Sequence, residues 1–372
     1  MLKVCDVQGF IQRTKLLDEI ICYGAGHGLK NFIELIQDPD TLEKCKYVAD
    51  RDRNKQGDVL QFGKLRLTVI APESMKTRKG IATGIVITCR CFEEVISFLE
   101  EDETLKELDF YCLYYLELFE REGKALKKKV PSNFKIYKEA VIPKVIHYCW
   151  FGLGPIPDSH KRWMESWHKF CPDYEIKEWN EKNYDISKNL YMKQAYDSEK
   201  WGFVPDYARL DIIYQHGGIY LDTDVELIAN IDDLLYQDGF IGFESAEWIN
   251  FGMGFGAVPR LEIIRELRDD YQGRKMLEED GTPNLMTSPM IQTEFLQKRG
   301  LMANGEYQMV EGLTVYPEKV LGGKNPITRK VDILPYTKAI HHFDGSWLEK
   351  KVKFQVRKLE EAVLLTENSI HR

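Results

Sequence analysis

Asp222 and Asp224 stand two residues apart near the end of the stretch Val204–Leu227, VPDYARLDIIYQHGGIYLDTDVEL. The stretch reads as a helix stopped by a glycine pair and followed by a short buried strand. Side chains two apart on a strand share a face, so both carboxylates are expected to point at one hard cation. Oxygen-rich sites of this kind suit Mg or Mn, which also bridge to phosphate oxygens. Upstream, Asp206 and Arg209 at i and i+3 share a helix face. Together these charges predict a site for a metal and a diphosphate. A D-x-D alone arises by chance in most chains of this length, so the coupled helix, the Gly-Gly stop and the later landmarks carry the reading. An EF-hand is excluded: counted from Asp222, Leu227 occupies the required glycine position and Asp233 that of the terminal glutamate.

The segment resembles the signature of DxD sugar transferases of the capsular-polysaccharide and yeast initiating mannosyltransferase type. A related version occurs in the clostridial glucosylating toxins. The matching residues are Pro205-Asp206, Arg209, Ile213-Tyr214, Gly217-Gly218, Tyr220 and Asp222-Thr223-Asp224. Proline replaces the usual serine before the first acid, and Ile213 replaces a leucine. Further landmarks follow the family order. Val141–Gly152, VIPKVIHYCWFG, reads as a strand entered by Pro143, and the resemblance implies that Trp150 at its exit stacks on the nucleotide base. Ile241–Pro259 reads as a strand pair, with Glu244 and Asn250 toward the acceptor side. Thr287-Ser288-Pro289 opens a helix, with Thr or Ser available as its cap; relatives carry T-G-P there. In AIHHFDGSW, Ala339–Trp347, the resemblance implies that His341, with His342 as the alternative, completes the metal shell. It also implies that Ser346 and Trp347 reach the diphosphate.

What the resemblance implies for function is transfer of a hexose from a nucleoside diphosphate sugar to a hydroxyl of a glycan or lipid-linked acceptor. The expected setting is capsular or other surface polysaccharide synthesis, with Mn or Mg as cofactor. Asp224 is expected to bind the metal directly and Asp222 to bridge metal, ribose and sugar. Asp206 and Arg209 are expected to hold the donor sugar, alongside Tyr220. The family implies retention of configuration, and no carboxylate nucleophile stands out in the sequence. A front-face route, in which the leaving phosphate helps deprotonate the acceptor, is therefore expected. Relatives use UDP-glucose, UDP-galactose, UDP-GlcNAc or GDP-mannose. A sugar nucleotidyltransferase and a non-catalytic sugar-nucleotide-binding subunit are the rival readings. The first wants a basic Gly-rich loop after the first strand, of which FGLGPIPDSHKRW is a thin version; the second conflicts with the intact acids.

Composition agrees. The chain has 372 residues, 44% hydrophobic and 12% aromatic, enough for two cores. A net charge of −8 argues against nucleic acid as a partner and makes an anionic sugar nucleotide an awkward ligand without a metal. All eight cysteines precede Pro172 with no C-x-x-C pair, which reads as buried reduced thiols. With no secretory leader, no bilayer-length apolar run and no N-glycosylation sequon, the sequence predicts a cytoplasmic protein. A lipid-linked acceptor would put it at the inner membrane face as a peripheral associate.

Ahead of these motifs, Asp18–Gly28, DEIICYGAGHG, reads as a buried strand, a glycine-rich turn and a helix over Leu29–Ile36. Strands are also expected at Lys46–Ala49, Leu65–Ile70 and Gly84–Thr88, with helices after each. That alternation predicts a parallel doubly wound sheet. Gly24, Gly26 and Gly28 form an incomplete dinucleotide fingerprint, with Leu29 in the place of its third glycine and Asp50 at ribose distance. The expected architecture is α/β: a smaller Rossmann-like domain over 1–122, a basic linker over 123–140, a GT-A-type nucleotide-diphospho-sugar transferase domain over 141–350 and a C-terminal helix over 351–372. That tail packs on its own protein or lies at a membrane surface.

Overall fold

The structure is a computed structural model that describes residues 1–77, 80–152, 154–284, 286–345 and 350–368. The chain forms two units, Met1–Gly123 with Phe354–Arg372, and Lys124–Lys353. The first runs α1 (Val7–Thr14), β1 (Glu19–Tyr23), α2 (His27–Ile36), α3 (Pro39–Glu43), β2 (Cys45–Ala49), β3 (Val59–Phe62), β4 (Leu65–Ile70), β5 (Thr83–Ile87), α4 (Phe92–Glu101), β6 (Asp109–Cys112) and α5 (Leu113–Gly123). β1 and β5 are buried at every position, the pattern of strands covered on both faces. They are neighbours inside a sheet ordered β3-β4-β2-β1-β5-β6. All its pairings are parallel except that of β3 with β4.

The parallel, doubly wound sheet is as the alternation predicts, with its order reversing between β1 and β5, the place where such sheets open a crevice. Two strands escape the sequence reading. β3 is a four-residue edge strand and β6 has only four residues, too short for a pattern to stand out. After β4 the expected helix is a 3-10 turn, Pro72–Thr77, and after β2 the chain turns into β3 with no helix between them.

The second unit holds β7 (Val145–Cys149), α6 (Asp158–Phe170), β8 (Glu175–Trp179), α7 (Leu190–Asp197), α8 (Pro205–His216), β9 (Gly218–Tyr220), β10 (Val225–Leu227), β11 (Gly239–Gly242), β12 (Phe255–Ala257), α9 (Glu262–Asp270), α10 (Ser288–Gln297), β13 (Gln308–Val310), β14 (Leu313–Tyr316), α11 (Glu318–Leu321) and β15 (Ala339–His341). A mixed seven-stranded sheet runs β13-β14-β11-β12-β9-β7-β8, and β10 pairs with β15 in a separate ribbon. β7 lies parallel to both β8 and β9. α8 is buried from Asp206 through Ile213, so it is the central helix of this unit. Its apolar residues share one core with α7, α9 and α10.

Of the expected linker 123–140, all but Gly123 falls in the second unit. The backbone N–H groups of Ile136 and Tyr137 both donate to the Tyr236 carbonyl, at 3.0 and 2.7 Å, and Phe134 is buried with its ring edge-on to Tyr316. Apolar side chains among the lysines tie the segment down. The last helix, α12, spans Lys350–Asn368 and counts with the first unit from Phe354. There Ala362 and Val363 are buried with Val4 and Phe119. No helix among the described residues is long and apolar enough to cross a membrane.

Candidate active site

α8 starts with Pro205 at its first position and Asp206 in its first turn, and stops at Gly217. Gly217 and Gly218 have φ of 66° and 95°, backbone that only glycine adopts without strain. A Cβ on Gly218 would also sit 2.7 Å from the Val145 carbonyl. The glycine pair thus lets α8 turn straight into β9, against β7. His147 on β7 secures the junction: its Nε2 lies 3.1 Å from the Gly217 carbonyl, and Trp179 donates to its Nδ1 at 3.0 Å.

Asp206 and Arg209 meet as their spacing predicts, at 3.3 Å, and both are buried. Arg209 also reaches Asp222 at 3.3 Å and lies over the Tyr220 ring, 5.1 Å from its centroid. The Tyr220 hydroxyl donates to Asp222 at 2.9 Å and that of Tyr191 to Asp206 at 3.2 Å. Ser288 bonds Asp206 as well. This is a correction to the expected capping role at Thr287-Ser288: the Thr287 side chain caps nothing, and Ser288 is the first residue of α10. Burial raises the Asp206 pKa to about 6; Arg209 opposes that shift and Asp222 adds to it.

The D-x-D itself departs from the strand geometry expected of it. Tyr220 ends β9 and Val225 begins β10 in a different sheet. Asp222, Thr223 and Asp224 form the turn between them, closed by Val225 N–H donating to the Asp222 carbonyl at 3.0 Å. Turn closure, not strand alternation, brings the two carboxylates to one place. His341 arrives by strand pairing: it lies opposite Val225 in the β10–β15 ribbon, which sets its Nε2 3.1 Å from Asp224 Oδ1. Asp222, Asp224 and His341 offer ligand atoms all within 4.8 Å of one another. His342 instead stacks on Trp163 at 4.1 Å and hydrogen-bonds Glu226 at 2.8 Å.

The electrostatics of this trio are unbalanced. Burial raises Asp222, Arg209 opposes that, and the Asp224 charge raises it further. Burial works the same way on Asp224, but His341 and the backbone N–H of Asp344 outweigh it and hold this carboxyl well below its usual range. For His341, burial disfavours the charged ring, while Asp224 and Asp222 pull its pKa up. Its Nδ1 is buried with no hydrogen bond among the described residues. Two half-buried carboxylates and an imidazole fit a hard or borderline divalent cation such as Mn or Mg.

Two further supports are His160 and Gly252, of which only the first lacks a sequence signal. His160 on α6 bonds Thr223, the middle residue of the turn, at 2.8 Å. A Cβ on Gly252 would collide with Asp222 Oδ2 and lie 2.9 Å from Arg209 Nη1, so only glycine leaves that carboxylate its place. A side chain aimed from a distant helix cannot be read from spacing; Gly252, in the glycine-rich NFGMGFG run, could have been.

Trp150 is half-buried just past β7, its indole N–H donating to the Gly154 carbonyl at 2.8 Å and its ring 6.0 Å from that of His160. It therefore lies one residue contact from the D-x-D turn. Ser346 and Trp347 lie outside the described residues. In the first unit, Gly24 has φ of 109° and its Cβ position is 2.9 Å from Cys89 Cβ, Gly26 faces open space, and a Cβ on Gly28 would collide with the Thr88 carbonyl. Asp50 is occupied by the backbone: it accepts from Ala25 N–H at 2.8 Å and Asp52 N–H at 2.9 Å.

Residues 157–241 match the family model described as glycosyltransferase sugar-binding region containing DXD motif. Inositol phosphoceramide mannosyltransferase 3 of Schizosaccharomyces pombe is 32% identical over 144 residues, 36% of this chain and 40% of that protein. Inositol phosphoceramide mannosyltransferase 2 of the same yeast is 31% identical over 120 residues, 29% of this chain and 32% of its own length. Among solved structures, the PaToxG glycosyltransferase covers 48% of this chain and 74% of its own at 18% identity, with a TM-score of 0.35, too low to establish a shared fold. The chain thus spans two fifths or less of the curated relatives named here.

Proposed function

We propose, from the DXD sugar-binding region carried by residues 157–241, that this chain is a metal-dependent glycosyltransferase. It moves a hexose from a nucleoside diphosphate sugar to a hydroxyl of a glycan or lipid-linked acceptor, in surface polysaccharide or glycolipid synthesis. The names of the relatives, inositol phosphoceramide mannosyltransferases, favour mannose as the sugar and a lipid-borne acceptor. One observation carries the reading: Asp222, Asp224 and His341 converge within 4.8 Å beside the buried Asp206–Arg209 pair. The second unit is read as GT-A-like, with retention of configuration.

Asp222, Asp224 and His341 would hold Mn or Mg, which when bound supplies Lewis-acid stabilisation of a departing diphosphate. The chain's own groups do the rest. Asp206 accepts hydrogen bonds from hydroxyls of the donor sugar, held in place by Tyr191 and Ser288. Arg209 stays charged under all conditions and fixes both Asp206 and Asp222, so neither carboxylate has to reorganise as charge develops. Trp150 offers a flat apolar face to the base.

The test is a panel of UDP-glucose, UDP-galactose, UDP-GlcNAc and GDP-mannose, each incubated with the full chain and Mn. Release of free sugar and nucleoside diphosphate from one of them, abolished by chelation, is the expected result. Diphosphate formation from a sugar phosphate and a nucleoside triphosphate would point to nucleotidyl transfer. Donor binding without turnover would point to a binding subunit.

A further inference from the structure

Six of the eight cysteines are buried, as the sequence predicts, but the C-x-C of the first unit departs from that expectation: Cys89 is half-buried and Cys91 exposed. Both belong to the bend that follows β5. Thr88 ties this bend to the glycine-rich turn after β1. Its backbone N–H donates to the Tyr23 carbonyl at 2.9 Å and its hydroxyl to the Gly24 carbonyl at 2.8 Å. Cys89 Cβ lies 2.9 Å from the place a Cβ on Gly24 would take, so the stem of this thiol is seated against the turn. Cys91 is the N-cap residue of α4. The two Sγ atoms are 3.5 Å apart, about 1.5 Å beyond a disulfide bond length. Bond formation therefore asks for side-chain rotation, with no rearrangement of the sheet.

A second close pair supplies the contrast. Cys22 on β1 and Cys45 on β2 are hydrogen-bonded to each other, but they are 0% and 2% exposed, where no reagent in solution reaches a sulfur. They are packing. Cys112, which stands beside the end of β5 opposite Ile87, is equally enclosed. The C-x-C alone joins proximity to access. Its surroundings are also positive: Arg90 between the two thiols is exposed, and the Arg51 guanidinium lies within electrostatic reach of Cys91. Arg51 is held there by the Tyr23 hydroxyl at 3.1 Å and by Glu94 at 3.8 Å. Two guanidinium groups suit a reagent that carries carboxylates. The thiols are unequal as well. Burial, then the hydrogen bond to Cys91 and the Cys91 charge, push the Cys89 thiol up to about 12.

We propose that Cys89 and Cys91 form a reversible dithiol–disulfide site that exchanges with an anionic small-molecule disulfide of the oxidised glutathione class. Cys91, the exposed member, loses its proton to solvent and attacks one sulfur of the reagent. The reagent's S–S bond breaks, its electron pair leaves on one thiolate, and Cys91 carries the other half as a mixed disulfide. Capping Cys91 removes two of the three influences that hold the proton on Cys89. Cys89 then gives that proton to the released thiolate and attacks the Cys91 sulfur. The second thiolate leaves and takes a proton from solvent. In sum the two cysteines lose two hydrogens and one disulfide in solution becomes two thiols. The product ring fixes the bend after β5 at the end of the sheet where the order reverses between β1 and β5. The site lies wholly in the first unit and is independent of the transferase reading.

The test treats the reduced full chain with excess oxidised glutathione, quenches it in acid, and alkylates the remaining thiols in denaturant before peptide mass mapping. The expected result is that Cys89 and Cys91 become protected together and without retained glutathione, that the other six are alkylated, and that dithiothreitol restores both. Cys89→Ser should hold one glutathione on Cys91. Cys91→Ser should slow modification of Cys89 by about tenfold or more, because the exposed thiol that reacts first is gone. A wild type that keeps glutathione on Cys91 overturns the proposal, since Cys89 then does not complete the exchange. So do chains linked to one another on a non-reducing gel, protection of Cys22 and Cys45 instead, or eight alkylated thiols after treatment. Cys89 modified in Cys91→Ser as fast as in wild type overturns the order of attack. If Cys89→Ser does not fold, the wild type and the exposed-site variant Cys91→Ser still decide the matter.

Discussion

Asp50 and Asp222 each follow a short strand with a parallel neighbour, β2 beside β1 in the first unit and β9 beside β7 in the second. Asp50 is surrounded by donors: two backbone N–H groups within 2.9 Å and the Lys55 ammonium at 3.4 Å. Burial works against its charge, yet those donors win and its pKa is lowered. Asp222 has Arg209 and Tyr220 as donors, but burial, with the facing Asp224 charge added to it, outweighs them and its pKa is raised. An acid whose lone pairs are filled by its own turn is architecture. An acid forced against a second acid has electrostatic work left for a cation to do. The glycines follow the same division. Gly28 makes room for a backbone carbonyl, whereas Gly252 makes room for a carboxylate.

The largest break in this comparison comes from Asp224→Ala. Mn binding and donor hydrolysis should both be lost beyond detection while the circular dichroism spectrum stays native. The melting temperature should fall, since His341 and the Asp344 N–H lose the carboxylate they bond. A folded variant with near-normal turnover would refute the metal assignment. Next is Gly252→Ala, whose new methyl must push Asp222 off its place. Turnover should drop by about 100-fold, in line with the cost of misplacing a reacting group, while the circular dichroism spectrum stays native. Normal turnover would show that Asp222 has another workable position.

Trp150→Ala should weaken donor binding about ten- to a hundredfold, because base–aromatic stacking is worth roughly 1–3 kcal/mol. The choice among the four donors should not change. A collapse in melting temperature with unchanged donor affinity in calorimetry would make Trp150 a packing residue instead.

The smallest effect should come from Asp50→Asn, which tests the other side of the comparison. It should cost about 1–2 kcal/mol of stability through weakened hydrogen bonds to a charged group, and leave donor hydrolysis untouched. The sign with pH follows from its lowered folded pKa. The stabilisation is present above the unfolded value of 3.8 and is lost as pH falls through the folded one. Denaturant titrations of wild type and variant should therefore differ at pH 7 and converge in acid. A difference that persists at pH 2, or a loss of hydrolysis, would contradict the architectural role.

The sequence was most legible where the physics is local. Helix start and stop signals placed α8 between Pro205 and Gly217. Alternating apolar runs and turns placed β1, β2, β4 and β5 within a residue or two. The i, i+3 spacing brought Asp206 to Arg209 because a helix obeys a fixed period. The motif order then singled out His341 over its neighbour, and the ribbon register sets His341 beside Asp224. Strand periodicity failed at Asp222–Asp224, because a chain leaving one sheet for another has to turn, and a turn is set by where the two sheets lie.

Residue type and order by themselves therefore determined the charges, the helix that carries two of them and the chemistry they suit. The convergence was decided by tertiary structure. Asp222 is placed by Arg209, Tyr220 and the room left by Gly252, Thr223 by His160 on α6, and Asp224 by a ribbon that joins residues over a hundred positions apart. Such partners belong to elements with their own local reasons to form. Only packing, which balances burial against the satisfaction of every buried polar group, settles which of them meet.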